Sequence, residues 1–370
     1  MMQKITLPEP TGVHPVGLCH RIYWDWDEGQ KKPLSLTIYY PAKAGTGQGP
    51  AAYACHQALE TMELPAAVDT CCQENGEISR DGPFPLVLFN HGYLTYEMCN
   101  SVLCTDLASH GFIVGAIGHT GEAVVKLPDG KVVPKEQKYV DMVYEPELNG
   151  KIGGIIEQIE SLRPETAPGE QLTKLITEYY RLHDGNLNIR ANIWQRHTVK
   201  AAQYLLDDKN GFTAYLDTRN GVGLTGHSFG GAAAANCCAD FDLFSCGINM
   251  DGAQLGSSFG RDIGKPFMCL SGEDGGLILW DMLSRNHADT YHGVFSGVEH
   301  MGFTDRGVLS SLFQKKLPCV GKRNPEEVRQ ALTALHLQFF SKYLTGRDIE
   351  VSLTGVSGMC LRVKRKAEGW

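Results

Sequence analysis

Two hydrophobic patterns take turns along most of this chain. "FPLVLFNHG" (84–92) and "FIVGAIGH" (112–119) are continuous apolar runs, the mark of strands covered on both faces. Between them "EMCNSVLCTDLASHG" has its apolar residues at helical spacing and ends on glycine. The alternation resumes with a helix in "NIRANIWQRHTVKAAQYLLDD", a strand in "GVGLT" and a helix in "SFGGAAAANCCA". Strands in "CGINM" and "KPFMCLSG", a helix in "LILWDMLSRN" and a strand in "YHGVFSG" follow. Asn324-Pro325-Glu326-Glu327 supplies a cap, a first-turn proline and an acid, and opens the closing helix through Leu332, Leu335, Phe339 and Tyr343. Near the N-terminus, His20 to Trp26 and Leu34 to Tyr40 read as strands. Residues 42–82 read as an irregular excursion with one helical turn near Cys55 to Met62. Alternating strands and helices predict an α/β fold: a mainly parallel central sheet with helices on both faces, in one domain over 1–370.

Residues 120–187 break this rhythm. "VVKLPDGKVV" predicts a hairpin turning at Asp129-Gly130. Ile152, Ile155, Ile156, Ile159 and Leu162 form one helical stripe, and Leu172, Leu175, Ile176, Tyr179 and Leu182 another. These stripes pack either on the sheet's own helices or as a cap over the carboxyl ends of the strands, where open α/β sheets place their ligands. On the second reading the insertion is a cap or lid, and Leu172, Ile176 and Tyr180 are candidate wall residues for a substrate.

Composition narrows the function. Apolar residues make up 42% of 370, enough for a large core, and 34 basic against 42 acidic side chains leave a formal charge of −8. That balance argues against nucleic acid as a partner. The short basic cluster Val363-Lys364-Arg365-Lys366 reads as a solvated tail. No run approaches the ~18 apolar residues of a membrane span. The polar, proline-containing start "MMQKITLPEPTG" is unlike a signal peptide, so the cytoplasm is the expected location. Twelve cysteines include the neighbours Cys71-Cys72 and Cys237-Cys238 but no paired CxxC motifs, so reduced thiols are expected and no metal site.

The chemistry concentrates in Gly226-His227-Ser228-Phe229-Gly230, where a short strand becomes a small-residue helix. A serine hydroxyl is a weak nucleophile near pH 7 and needs both exposure and a neighbouring base. A tight strand-to-helix turn exposes Ser228, the glycines keep Cβ atoms out of the bend, and the helix start offers free N–H groups. The order serine, acid, histidine expected of such a turn makes His300, in the loop "GVEHMGFTD", the candidate base. His287, His292 and His336 fall in or beside regular elements and read as structural. Asp251 and Asp274 each follow a strand and are alternative acids. Phe229 N–H and a donor in "FNHGY", Tyr93 with Gly92 as a near alternative, would make an oxyanion hole. His91 and His227 beside them read as packing residues. The same groups would serve an ester hydrolase or a related amide or thioester acyl hydrolase or transferase, and a hydrolase fold kept only for binding is a third reading.

Eight stretches occur in an order that resembles the group II platelet-activating-factor acetylhydrolase family and its bacterial relatives: "LPEPTGVHPVG", "LTIYYPA", "PLVLFNHGY", "TDLASHGFIVGAIGHT", "LPDGKVV", "GHSFGGAAAA", "GINMDGAQLG" and "GVEHMGFTD". The resemblance runs from about residue 7 to about 310. It implies an α/β-hydrolase fold, cleavage of small-molecule or lipid esters with short or oxidised acyl groups, and no cofactor or metal. It also implies Ser228, Asp251 and His300 as triad and Tyr93 and Phe229 as oxyanion donors. Where the family often carries Asp before the His119-Thr120 pair, this chain has Gly118.

Overall fold

The structure is a computed structural model that describes residues 5–27, 29–54, 59, 67–162, 169–273, 276–353 and 358–366. The chain opens with β1 (Ile5–Thr6), β2 (Val16–Asp27), β3 (Gln30–Pro41), β4 (Pro50–Ala52) and β5 (Val68–Glu74). The buried alternation then begins: β6 (Phe84–Asn90), α1 (Ser101–Ser109) and β7 (Ile113–Gly118). The insertion holds the hairpin β8 (Val125–Lys126) and β9 (Val132–Val133), then α2 (Gln137–Val143), α3 (Pro146–Ser161) and α4 (Glu170–Leu182). Next come α5 (Leu187–Leu206), β10 (Leu216–Asp217), β11 (Val222–His227), α6 (Phe229–Asp240), β12 (Phe244–Met250) and β13 (Phe267–Gly272). The last elements are α7 (Trp280–Arg285), β14 (Thr290–Phe295), α8 (Arg306–Leu312), α9 (Pro325–Thr345) and β15 (Met359–Lys364).

The main sheet runs β1-β5-β2-β3-β7-β6-β11-β12-β13-β14-β15. From β7 to β14 every neighbouring pair is parallel. Val87 and Phe89 point into one core with α1 and α9, while Leu86 and Leu88 point into the other with α5 and α6. Both faces are therefore covered, which is why these strands read as unbroken apolar runs. Chain order reverses between β6 and β11. The first connection from β6 goes to β7 on one side, and the later return enters on the other. Strand-end loops diverge there and leave a crevice.

Two expectations change, and a third falls outside the described residues. Residues 42–82 are not an irregular excursion, because β4 and β5 extend the sheet at its edge. Val68, Thr70 and Cys72 face the core as a period-two pattern that a threonine and a cysteine disguise. The helical turn expected at Cys55 to Met62 lies almost wholly outside the described residues. The basic cluster is not a solvated tail: β15 pairs antiparallel with β14, and Lys364 is buried with its Nζ donating to the carbonyls of Leu283 (2.9 Å) and Ser284 (3.2 Å) at the end of α7. A lysine at a helix C-terminus satisfies orphaned carbonyls there.

The insertion joins the main body through a buried arginine. Arg190 on α5 is bidentate on Asp27 at the end of β2 (3.0 and 3.0 Å) and on Glu122 (2.7 and 2.6 Å). All three are buried, and Trp194 Nε1–H adds a bond to Glu122 at 2.8 Å. Burial alone would raise the Asp27 carboxyl, but the hydrogen bonds and charge of Arg190, with Lys32, hold it at about 2. Arg190→Ala would strand two buried carboxylates. Urea unfolding is expected to show a loss of about 3–5 kcal/mol, and a loss below about 1 kcal/mol would mean the network is not a structural anchor.

Candidate active site

Ser228 stands alone between β11 and α6 with φ +54° and ψ −124°, a conformation that costs a side-chain-bearing residue about 1–3 kcal/mol. Its N–H donates to the Met250 carbonyl (2.8 Å), and its own carbonyl accepts from Gly231 N–H (2.9 Å). The turn is so tight that a Cβ on Gly226 would lie 2.2 Å from the Gly230 carbonyl oxygen, and one on Gly230 would lie 2.1 Å from that of Asn90. Only glycine fits at either place.

Two further strand ends bring the partners. Asp251 follows β12 at φ +56°, its N–H bonded to the Leu270 carbonyl (2.7 Å) and its Oδ1 accepting from Gly272 N–H (3.1 Å). His300 sits in the turn after β14. Its Nδ1 meets Asp251 Oδ2 at 2.7 Å and its Nε2 meets Ser228 Oγ at 2.9 Å. Burial would raise the Asp251 carboxyl, but the hydrogen bond and charge of His300 and the Gly272 N–H keep it below the usual range. The structure thus brings Ser228, His300 and Asp251 into one hydrogen-bonded chain. Asp274, the other candidate acid, lies outside the described residues.

His227 has a larger part than packing suggests. Its Nε2–H donates to the His300 carbonyl at 2.9 Å, and burial, with the neighbouring His300, drives its pKa well below the ordinary imidazole range. A neutral ring fixes the backbone that carries His300. His91 likewise stays neutral and holds the loop after β6: its Nδ1–H donates to the Gly92 carbonyl (2.7 Å), and its Nε2 accepts from His119 N–H (3.3 Å). That loop carries Tyr93. The N–H groups of Tyr93 and Phe229 donate to no other described group, and both residues flank the serine.

A cavity of about 360 Å³ opens on the serine. Ser228, His300, His227, Gly92 and Tyr93 line it, with Leu94, Tyr96, Val124, Tyr144 and Met301 as apolar surface. Lys135 and Arg306 also reach it, and periodicity had marked neither. The wall residues expected from the insertion lie elsewhere. Leu172 and Ile176 are buried where α3 and α4 pack on each other and on Phe259, Leu277 and Trp280. Tyr180 stacks on Phe259 at 3.9 Å and donates to the Gly256 carbonyl. An amphipathic stripe seeks the nearest apolar stripe, here its partner helix. The insertion instead lends the cavity Val124, Lys135 and Tyr144. Among the described residues no group of three His, Cys, Asp or Glu side chains is placed to hold a metal ion, and no helix is long and apolar enough to cross a membrane.

Comparison with known proteins agrees with this architecture. The model of the family described as platelet-activating factor acetylhydrolase, isoform II, matches residues 1–352. A platelet-activating factor acetylhydrolase of Cavia porcellus is 28% identical over 178 residues, 48% of this chain and 37% of that protein. One from Gallus gallus is 24% identical over 287 residues, 75% of this chain and 66% of that protein. The chain therefore spans less than two thirds of the length of these relatives. A solved ferulic acid esterase from Streptomyces cinnamoneus superposes with a TM-score of 0.73 at 18% identity, covering 96% of this chain and 99% of that one. The fold is that of an α/β-hydrolase.

The buried histidines carry a pH consequence. Burial pulls His91 and His336 down to about 4, and His119 and His197 lie below the ordinary range for the same reason. Unfolded histidines titrate near 6.5, so below that pH the unfolded chain binds more protons than the folded one. The stability these groups contribute is complete above about pH 6.5 and is lost as pH falls towards 4. The urea midpoint is expected to drop from pH 7 to pH 5, partly offset by Glu97, whose carboxyl is raised to about 7 by burial; a midpoint that rises over that interval would contradict neutral burial of these rings.

Proposed function

We propose, for a chain that belongs to the platelet-activating factor acetylhydrolase, isoform II family, that it hydrolyses carboxylic esters through Ser228, His300 and Asp251. The observation that carries this reading is the unbroken chain from Asp251 Oδ2 through His300 to Ser228 Oγ, with links of 2.7 and 2.9 Å, at the edge of a cavity. Ser228 Oγ attacks the ester carbonyl carbon while His300 Nε2 takes the hydroxyl proton. Asp251 holds His300 Nδ1–H and stabilises the imidazolium as it forms. The carbonyl oxygen becomes an oxyanion and receives the N–H groups of Phe229 and Tyr93. Collapse expels the alcohol, which takes the proton from His300 Nε2, and an acyl group remains on Ser228 Oγ. Water then attacks this acyl-enzyme, giving its proton to His300 Nε2, and the acid leaves as Ser228 recovers its proton. No cofactor enters this sequence.

The cavity volume is near the lower end of ligand pockets, about 300–1,000 Å³, which favours a short acyl group. Ser228→Ala is expected to lower turnover of a 4-nitrophenyl ester by about 10⁴–10⁶-fold with circular dichroism unchanged. Asp251→Asn, which keeps the side-chain shape but favours the wrong tautomer of His300, should cost up to about 10⁴-fold. Ser228→Ala activity within tenfold of wild type, or failure of a fluorophosphonate probe to label Ser228, would remove the assignment.

A further inference from the structure

The cavity beside Ser228 holds two cations and no anion. Lys135 comes from the segment between β9 and α2, and Arg306 from the start of α8. No carboxylate is among the described residues that line it. Among the described residues the guanidinium of Arg306 has no hydrogen-bond or ion-pair partner, and its Nε is buried. Lys135 Nζ has one neutral acceptor, the Leu94 carbonyl at 3.1 Å.

The acids adjacent in sequence are engaged elsewhere. Glu136 pairs with Lys32 (2.9 Å) and Lys138 (3.0 Å). Asp305 is buried facing the start of α1, where it accepts from Val102 N–H, and burial pushes its carboxyl well above the usual range, towards the uncharged form. Burial and the charge of Arg306 both lower Lys135, so the two cations are close enough to work against each other. Folding thus holds two like charges, partly desolvated, around one small space without internal compensation. That arrangement is costly unless an anion enters.

We propose that Lys135 and Arg306 form an anion subsite of this cavity, and that the chain selects acidic esters, in which a carboxylate or a phosphate is carried on the ester itself. The subsite rests on the ester-hydrolase reading only for where the scissile bond lies. A planar guanidinium suits two oxygens of one carboxylate or phosphate, and the lysine adds a movable point charge.

The test compares kcat/KM on neutral 4-nitrophenyl acetate with kcat/KM on two acidic esters. Mono-4-nitrophenyl glutarate carries its carboxylate on the acyl side, and acetylglycerol phosphate carries its phosphate on the alcohol side. For at least one of them the acidic-to-neutral ratio is expected to fall about tenfold in Arg306→Gln and further when Lys135→Gln is added. In the wild-type chain the same ratio should fall as salt rises from about 0.02 to 0.5 M, which needs no variant. The ester that responds identifies the side on which the anion sits. A ratio unchanged by substitution and by salt, for both acidic esters, overturns the subsite.

Calorimetric titration of Ser228→Ala with each acidic ester, with and without Arg306→Gln, reads binding apart from turnover. A Kd weakened about tenfold by Arg306→Gln supports the subsite even if no ester is cleaved, an outcome that would sink the hydrolase reading instead. Equal Kd values overturn the subsite even if esters are cleaved.

Discussion

The site depends on how closely the backbone of the Ser228 turn approaches the strand ends around it. Gly230 lies against the Asn90 carbonyl at the end of β6, and Gly252, after β12, lies against the Ser228 carbonyl; a Cβ at either would fall 2.1 or 2.0 Å from the oxygen. These contacts bring β6, β11 and β12 to one point at their carboxyl ends. The proposed nucleophile, one proposed oxyanion donor and the proposed acid emerge from those three ends. The positive φ of Ser228 is a consequence. The chain must reverse within one residue to start α6 against β6, and the bonds from Ser228 N–H to Met250 and from Gly231 to Ser228 hold the strained residue in place.

A second, polar frame keeps the neighbouring loop from drifting. Leu94 N–H donates to the Glu122 carbonyl (3.0 Å) and Val124 N–H to the Thr95 carbonyl (3.1 Å), so the loop carrying Tyr93 is zipped to the start of the insertion. Glu122 is in turn fixed by Arg190 and Trp194. Trp194 stacks on His119 at 3.5 Å, and His119 bonds Asn90 Oδ1 at 3.0 Å, which returns the frame to the end of β6. Gly118 belongs to this frame as well: a Cβ there would lie 2.1 Å from the buried Glu97 carboxyl, so a side chain has no room. Such a polar network resists movement because each bond lost would leave another buried group unsatisfied, although Asn90 Nδ2 and Glu97 Oε2 have no hydrogen-bond partner among the described residues.

What was legible in the sequence follows from what periodicity measures. It reports burial, so strands covered on both faces, such as β6, β7 and β11, stood out. The edge elements β5 and β15 did not, since their buried positions include Thr70, Cys72 and Lys364, which do not read as an apolar run. The stripes of α3 and α4 were visible as helices, yet periodicity does not say against what a stripe is buried, and they pack on each other and on Phe259, Leu277 and Trp280. Ser228 and His300 were legible because the chemistry demands those residue types at the ends of strands. Lys135 and Arg306 left no such mark, because a charged side chain in a loop reads as solvated unless the fold encloses it.

Enclosure also shapes the proton chemistry. The positive charges of Arg306 and Lys135 would favour negative charge in the cavity beside Ser228, including the oxyanion expected of an attacked ester. His227 feels this field: the charge of Arg306 is among the causes that keep its ring neutral. In the proposed mechanism Asp251, held ionised and bonded to His300 Nδ1 at 2.7 Å, is the anion that accompanies the proton on His300. An acidic substrate seated between the cations would offset their mutual repulsion, so the anion's contribution is expected in affinity, while the oxyanion relies on the backbone N–H groups proposed to receive it.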